Sequence, residues 1–161
     1  MHQNLFQRRE AAELLLETIF RYRDASEFLL HEFIVMPNHI HLLLSVDDDH
    51  AISRAMQLIK GGFSHALRDA GLKRTAVWQP SYYEHRVRDI DEYCRMRAYI
   101  HENPVRRGLV LTASEYPYTS ARTAFRLDEV PERLKPEYES SVSDAGLKAA
   151  LPDPCKIRTP A

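Results

Sequence analysis

The sequence predicts an α+β fold, because helical and strand-like patterns of apolar residues alternate along its first two thirds. Apolar side chains recur at helical spacing over residues 10–24 and again over residues 52–69. Between these segments, residues 28–36 and 39–46 are apolar runs of strand length, and Pro37-Asn38 separates them as a turn signal. An antiparallel hairpin flanked by amphipathic helices belongs to the α+β class.

The elements after residue 70 are predicted from shorter signals. Residues 82–88 are a candidate third strand. Asp89, followed three residues later by Glu92, resembles the capping box that begins a helix. This third helix is expected to end near Asn103, because Pro104 disfavours helical geometry in the residue before it.

The hydrophobic periodicity fades beyond residue 125, where five of the nine prolines fall. We therefore expect one folded domain over residues 1–125 and a loosely ordered, proline-containing tail over residues 126–161. Inside the domain, Gly61-Gly62 lowers helix propensity by about 1 kcal/mol per glycine, which weakens the second helix at that point.

The composition predicts a cytoplasmic protein. A chain of 161 residues can bury a hydrophobic core without disulfide staples. No apolar stretch approaches the length of a membrane span, and the N-terminus lacks the apolar segment of a signal peptide. Cys94 and Cys155 are far apart in the sequence, and we expect them to be reduced thiols.

The charge of the chain is unevenly distributed, although the formal net charge is only −1. Residues 54–107 carry eleven Lys and Arg against six Asp and Glu, whereas residues 1–53 carry four against nine. The basic segment also contains Trp78, Tyr82 and Tyr83, and basic and aromatic side chains together are typical of single-stranded nucleic-acid binding. An ordinary solvated surface explains the charge pattern equally well.

The most specific feature of the sequence is His39-Ile40-His41, in the second predicted strand. Because side chains alternate along a strand, both imidazoles point to one face and Ile40 points to the other. Two neighbouring imidazoles form a pair of metal ligands. The alternative is two histidines on a solvated sheet face, and the pair by itself does not decide between the two.

Tyr99 and Asn103 are four residues apart on the third predicted helix, so they share a face one turn apart. The amide oxygen of Asn103 suits a hard cation such as Mg²⁺ or Mn²⁺. The phenol of Tyr99 can act as a nucleophile. The alternatives are a core tyrosine packed beside Met96 and Ile100, and an ordinary asparagine at a helix end.

Two long motifs resemble those of a known family. Residues 33–44 read FIVMPNHIHLLL and resemble the signature of the single-tyrosine HUH transposases, most closely their REP-associated tyrosine transposase branch. Residues 99–110, YIHENPVRRGLV, resemble the tyrosine motif of that branch. Shorter stretches at residues 56–64 and 77–79 also fit, and the similarity extends over residues 5–118.

This resemblance implies a metal-dependent reaction on DNA. By it, His39 and His41 bind a divalent metal ion, Mg²⁺ or Mn²⁺, and Tyr99 is the nucleophile. Asn103 stands where the family places its third metal ligand. The reaction implied is transesterification of single-stranded DNA, which leaves a 5′-phosphotyrosine and a free 3′-hydroxyl. Because phosphodiester energy is kept in the covalent intermediate, no ATP is needed.

The resemblance also implies DNA-binding residues. Lys60, Arg106 and Arg107 match basic positions of the family and are candidates for phosphate contact. We expect them to lie on the same side of the sheet as Tyr99. Trp78 is a candidate for base stacking, with packing in the core as the alternative.

The implied fold is an antiparallel sheet with helices packed on it, of the ferredoxin-like or RRM-like kind. The implied partner is single-stranded DNA with hairpin-forming repeats. One nucleophilic tyrosine per chain cannot hold two cleaved DNA ends, so a homodimer is expected. The family's first strand has no counterpart ahead of Leu5, so we expect a truncated copy in which one strand of the hairpin has an unpaired edge.

Two other functions stay open at this point. The chain could bind folded single strands without cutting them, and nicking assays with and without Mn²⁺ distinguish this from an enzyme. It could instead be a small zinc hydrolase, which needs a third His, Glu or Asp ligand and an open position for water. The other candidate ligands sit at no recognised zinc-hydrolase spacing: His31, His65, His85 and His101.

Overall fold

The structure is a computed structural model that describes residues 4–47, 51–72, 77–79, 82–134 and 155, without the side chain of Glu132. The described residues form three α-helices and one two-stranded antiparallel sheet. In chain order the elements are α1 (Arg9–Asp24), β1 (Leu29–Met36), β2 (His39–Ser45), α2 (Ala51–Asp69) and α3 (Ile90–Arg106). The α+β class predicted from the sequence is confirmed. No helix among the described residues is long and apolar enough to cross a membrane.

The two faces of the sheet carry different layers of helix. β1 pairs with β2 so that Ile34 lies opposite His41. Phe33 and Val35 point to the other face, into the main core that α1 and α2 complete. Ile34 instead packs with Ile100 of α3. The sheet therefore separates α1 and α2 on one face from α3 on the other.

The outer edge of β1 is paired with the chain that follows α3. The backbone N–H of Val35 donates to the carbonyl of Tyr118 at 2.9 Å, and the N–H of Asp128 donates to the carbonyl of Leu30 at 2.9 Å. The expected unpaired edge is therefore not that of β1, because the chain after α3 supplies its partner. Among the described residues, β1 is the only strand paired with β2, so the unpaired edge predicted for one of the two strands is that of β2.

The predicted tail, residues 126–161, includes a packed segment. The carboxylate of Asp128 accepts hydrogen bonds from Arg23 of α1 at 2.6 and 2.8 Å and from the Leu30 N–H at 2.8 Å. Asp128 therefore ties this segment to both α1 and β1. The rest of the predicted tail lies outside the described residues, apart from Cys155.

The segment before α3 differs from the prediction. Residues 82–88 form no strand and have no regular secondary structure. Asp89 caps α3 as predicted, because its side chain accepts a hydrogen bond from the Glu92 N–H at 2.8 Å.

The end of α3 also differs from the prediction, which placed it near Asn103. The helix continues through Pro104 to Arg106, because a proline close to the end of a helix removes only one late hydrogen bond. Gly108, with a φ of 66°, follows the last turn and adopts the left-handed conformation that ends many helices.

The paired glycines of α2 do not interrupt the helix. A Cβ at Gly62 would lie 2.7 Å from a ring carbon of Tyr22 in α1, whereas a Cβ at Gly61 would meet nothing within 4 Å. Gly62 therefore leaves room for the outer end of the Tyr22 side chain against α2.

Cys94 and Cys155 are joined as a disulfide, with their Cα atoms 5.4 Å apart. The prediction of separate reduced thiols is therefore wrong. No local pattern indicates this contact, because the two cysteines are 61 residues apart; in the structure both pack in the apolar cluster around Val87, Tyr93 and Leu134.

Candidate active site

β2 places two histidines side by side on the face of the sheet that meets α3. His39 and His41 are two residues apart on the strand, so their side chains project from the same face. Their ring centroids are 4.9 Å apart, and the rings are close to perpendicular. Both residues are half-buried. The pair is therefore part of the packed interface between the sheet and α3.

α3 brings Tyr99 and Asn103 to this pair. Nδ2 of Asn103 lies 3.3 Å from Nε2 of His41, and the ring centroid of Tyr99 lies 5.4 Å from that of His41. Asn103 is buried, whereas Tyr99 is 42% exposed. A phenol that can be reached from solvent thus lies beside two imidazoles and an amide.

The protonation state of His41 follows from its surroundings. Burial lowers the pKa of His41 to about 4, and the positive charges of His39 and Arg107 act in the same direction. At neutral pH the ring is therefore uncharged, and its Nε2 accepts the hydrogen bond from Asn103. An uncharged imidazole is the form that binds a metal ion.

A neighbouring amide orients His39. Oδ1 of Asn38 lies 2.7 Å from Nδ1 of His39, and an amide oxygen can only accept, so Nδ1 carries the hydrogen. In the neutral ring this tautomer leaves the lone pair on Nε2. Metal-ligating histidines are commonly held in this way by a partner on their second nitrogen.

The donor atoms at this place fit a divalent metal ion. His39 and His41 offer two ring nitrogens. A rotation of the Asn103 side-chain amide by about 180° would place its oxygen where Nδ2 now lies. Nitrogen and oxygen donors together suit Mn²⁺ or Mg²⁺. Among the described residues, no three His, Cys, Asp or Glu side chains are grouped to hold a metal. The Asn103 oxygen is therefore the third donor that this site offers.

The other histidines of the described segments contact different groups. Their partners are Ser45 for His31, Asp69 for His65, Glu92 for His85 and Glu32 for His101. None of the four is grouped with His39 and His41. A zinc-hydrolase site would need its third ligand from elsewhere.

Two basic residues at the end of α3 lie on the Tyr99 side of the sheet. The positive charge of Arg107 acts on His41, as the lowered pKa of that ring shows. Arg106 is exposed, and its guanidinium donates to Glu102 at 2.8 Å. Arg107 therefore lies near the histidine pair, whereas the charge of Arg106 is paired with Glu102.

Lys60 lies on the opposite side of the sheet, so the prediction that it shares a side with Tyr99 is wrong. It belongs to α2, whose apolar side chains, such as Phe63, are buried in the core on the α1 face. The ammonium of Lys60 donates to the carbonyl of Gln79 at 3.2 Å and lies 5.3 Å from the ring centroid of Tyr82.

Trp78 is a packing residue. Its ring centroid lies 5.5 Å from that of Phe63 and 6.0 Å from that of Phe6. Its Nε1–H donates to the carbonyl of Lys60 at 3.0 Å, which satisfies the polar end of the indole. Of the two predicted roles, the structure shows packing.

A buried glutamate lies beside the site, and no role for it is predicted from the sequence. Glu32 of β1 is 5% exposed and projects from the same face as His41. Its carboxylate contacts Arg97 at 2.9 Å and His101 at 2.8 Å, both on α3. The signal in the sequence is an acidic side chain inside an apolar strand, on the face that carries the histidine pair.

Comparison with known proteins identifies the family. Residues 2–103, more than half of the chain, match the family described as "Transposase IS200 like". The chain belongs to the IS200-like transposase family. The match includes His39, His41 and Tyr99 and ends at Asn103, so the family region contains all four residues of the site.

Two relatives and one solved structure support the resemblance seen in the sequence motifs. The REP-associated tyrosine transposase of Escherichia coli (strain K12) is 30% identical over 109 residues, 67% of this chain and 63% of that protein. A relative from Haemophilus influenzae is 29% identical over 110 residues, 61% of each chain. The structure of a REP-associated tyrosine transposase bound to a REP hairpin matches with a TM-score of 0.58 and 24% identity, over 81% of this chain and 80% of that chain.

These comparisons confirm the family resemblance, and the solved structure shows a shared fold. The chain spans less than two thirds of the length of the two relatives, at 63% and 61%.

Proposed function

We propose that the protein is a DNA strand transferase that cleaves and rejoins single-stranded DNA with Tyr99 as its nucleophile. The observation that supports this most directly is the cluster around His41. Tyr99 and Asn103, one turn apart on α3, both contact His41, whose ring lies beside that of His39. Attack on a phosphodiester needs a nucleophile and a means of neutralising phosphate charge at the same point; Tyr99 would supply the first, and a metal ion held by this cluster would supply the second.

In the first step, Oη of Tyr99 attacks the scissile phosphorus, so that the P–Oη bond forms and the P–O3′ bond breaks. The phenol proton passes to water, because the Tyr99 side chain is partly exposed. The leaving O3′ takes up a proton and becomes a free 3′-hydroxyl. The products are a 5′-phosphotyrosine and a strand with a new 3′ end.

In the second step, a 3′-hydroxyl attacks the phosphotyrosine. A P–O3′ bond forms, the P–Oη bond breaks, and Tyr99 regains its proton. One phosphodiester has then been exchanged for another, so the cycle consumes no nucleotide. The strand is rejoined to its original end or to a different one.

His39, His41 and Asn103 would hold a divalent ion, Mg²⁺ or Mn²⁺. Bound there, the ion would polarise the scissile phosphate, which helps because an ordinary phenol is almost wholly protonated at neutral pH. The residues need little change for this role. The His41 ring is uncharged, Asn38 orients the His39 ring, and the Asn103 amide must turn its oxygen toward the ion.

Arg106 and Arg107 would contact the DNA backbone beside Tyr99. Their guanidinium groups lie at the end of α3, where they can neutralise phosphate charge during the reaction. Lys60 lies on the other face of the sheet and is not part of this contact.

We propose hairpin-forming single-stranded DNA repeats as the substrate. The support is that a relative is REP-associated and that the solved structure with the same fold holds a REP hairpin. We also propose a homodimer, because the one nucleophilic tyrosine of each chain can hold only one cleaved DNA end at a time.

A nicking assay on an oligonucleotide with a hairpin tests the proposal. With Mn²⁺, a label on the DNA 3′ of the cut should stay attached to the denatured protein. A label 5′ of the cut should be released as free DNA. With EDTA the protein should bind the hairpin without forming the adduct. Binding without adduct in every divalent ion would identify a hairpin-binding protein that does not cleave. Absence of binding would refute the DNA substrate.

A further inference from the structure

Glu32 joins β1 to α3 in the interior of the protein. Its side chain is 6% exposed. Nε of Arg97 donates to Oε1 at 2.9 Å, and Nε2 of His101 lies 2.8 Å from Oε2. Ser120, at the outer edge of β1, donates to Oε2 at 2.5 Å. A buried carboxylate with three such partners has a fixed position, because displacement would leave polar groups and charge unpaired.

The partners of Glu32 and the residues of the site lie on opposite flanks of α3. Arg97 and His101 are one turn apart on one flank, and Tyr99 and Asn103 are one turn apart on the other. At about 100° per residue, the two pairs are roughly 160° apart around the helix axis. The stripe between them is the part of α3 that packs on the sheet, with Ile100 buried in it. The bonds to Glu32 therefore resist rotation of α3 about its own axis.

A small rotation of α3 would be enough to disturb the site. Side-chain ends lie about 5–6 Å from a helix axis, so a rotation of about 15° would move them by roughly 1.5 Å. Displacement of a reacting group by about 1 Å can lower a rate by about a hundredfold. The direct contact between Asn103 and His41 is long, at 3.3 Å, and neutral. The charge-assisted bonds of Glu32 are stronger and hold the helix more firmly.

We propose that Glu32 is a positioning residue for strand transfer. Through Arg97 and His101 it sets the rotation of α3, and so it holds the Tyr99 phenol beside the histidine pair. Its effect on the rate rests on the proposed function, whereas its effect on the orientation of Tyr99 can be measured without any reaction.

Glu32→Gln is the direct test, with Asp128→Asn as the matched control. The glutamine keeps the size of the side chain but removes its charge and one acceptor oxygen, so its bond to Arg97 or its bond to His101 is lost. Asp128 is also a carboxylate that accepts hydrogen bonds from an arginine and from a β1 backbone N–H. Its partners lie on α1 and β1, so its loss tests destabilisation without a direct effect on α3.

The first measurement is the ¹⁹F NMR spectrum of protein with 3,5-difluorotyrosine in place of Tyr99. We expect one narrow resonance in the wild type and in Asp128→Asn. In Glu32→Gln the resonance should shift and broaden or split, because α3 would sample more than one rotation. An unchanged resonance in Glu32→Gln would overturn the proposal.

The second measurement separates the rate of adduct formation from the affinity for hairpin DNA. Glu32→Gln should form the adduct about a hundredfold more slowly, with the Kd for the hairpin within about twofold of the wild type. Asp128→Asn should keep the wild-type rate at a temperature where it is folded. Equal rates in the two variants, or a loss of affinity as large as the loss of rate, would show that Glu32 only stabilises the fold.

Substitution of Arg97 tests the same proposal if Glu32→Gln does not fold. Arg97→Met should slow adduct formation, whereas Arg97→Lys should restore most of the rate, because the lysine can still pair with Glu32. Identical rates in these two variants would contradict the proposal. If the wild type forms no adduct, the proposed function has failed, and the ¹⁹F comparison still decides whether Glu32 orients Tyr99.

Discussion

The side-chain amide of Asn103 lies 3.3 Å from Nε2 of His41, which connects the helix that carries Tyr99 to the strand that carries the histidine pair. The two residues are 62 positions apart in the sequence, so the site exists only when α3 packs on the sheet. Its chemistry therefore depends on the position of α3 as much as on the identity of the residues.

Removal of the proposed metal donors should weaken the binding of Mn²⁺. His41→Ala and Asn103→Ala each delete one donor, and we expect each to lower the affinity by roughly tenfold or more. Asn38→Ala should lower it less, because it removes only the group that orients His39. Isothermal titration with Mn²⁺ measures these affinities.

His65→Ala is the control for the Mn²⁺ titration. His65 is exposed and pairs with Asp69 within α2, so its loss should leave the affinity unchanged. The same Mn²⁺ affinity in His41→Ala and His65→Ala would show that the ion binds elsewhere.

Arg107→Gln should weaken the binding of hairpin DNA and make it less sensitive to salt. A lost phosphate contact reduces the slope of log K against log salt concentration by about one. Lys60→Gln is the comparison, and a smaller change is expected because Lys60 lies on the other face of the sheet. A larger effect of Lys60→Gln than of Arg107→Gln would place the DNA on the α2 face.

Asp128→Asn should lower the free energy of unfolding by about 2 kcal/mol at pH 7, because it removes the charge and one acceptor oxygen of a half-buried group that binds Arg23. Hydrogen bonding from Arg23 lowers the pKa of the Asp128 carboxyl below its usual value. A lowered pKa in the folded state means that the stabilisation is complete above the unfolded pKa, about 4, and is lost as the pH falls through the folded pKa.

Urea unfolding of Asp128→Asn and the wild type at pH 7 and at pH 3 measures this dependence. The difference in stability between the two proteins should shrink at the lower pH. The charge of Asp128 also raises the pKa of His31, which burial lowers, so the comparison measures Asp128 together with its effect on His31. A difference that stays constant or grows as the pH falls would contradict the assignment.

The two glycines of α2 should respond to alanine differently. Gly61→Ala should raise the free energy of unfolding by about 0.5–1 kcal/mol, because its Cβ would enter open space and alanine favours the helix. Gly62→Ala should gain less, because its Cβ would lie 2.7 Å from the Tyr22 ring, whose outer end must then move. Thermal unfolding of both variants checks this, and an equal gain in both would show that the Tyr22 side chain does not lie against Gly62.

The sequence predicts the hairpin and the first two helices to within one residue at each end, because their signals are local. Strand alternation puts His39 and His41 on one face, and helical spacing puts Tyr99 and Asn103 on one face. Each pair follows from a few neighbouring residues.

Features that depend on packing between distant segments could not be predicted in the same way. The pairing of Glu32 with Arg97 and His101 needs the register of β1 against α3, which no local pattern contains. The backbone partner of β1 comes from the chain after α3, and residues 82–88 have the composition of a strand without forming one. The contact between Cys94 and Cys155 likewise joins residues 61 positions apart.

Mass spectrometry of the protein–DNA adduct shows whether Tyr99 is the nucleophile. The wild type, Tyr99→Phe and Tyr83→Phe are incubated with hairpin DNA and Mn²⁺ and digested before analysis. Tyr83 is the matched control, since its phenol is 90% exposed and lies in the irregular segment before α3. Tyr99→Phe should stay folded, with a change in stability of at most about 1 kcal/mol.

If Tyr99 is the nucleophile, the nucleotide is found on the peptide that contains Tyr99 in the wild type and in Tyr83→Phe. Tyr99→Phe should form no adduct but should still bind the hairpin, because only one hydroxyl is lost. An adduct that persists in Tyr99→Phe, with the nucleotide on a different tyrosine, would show that Tyr99 is not the nucleophile.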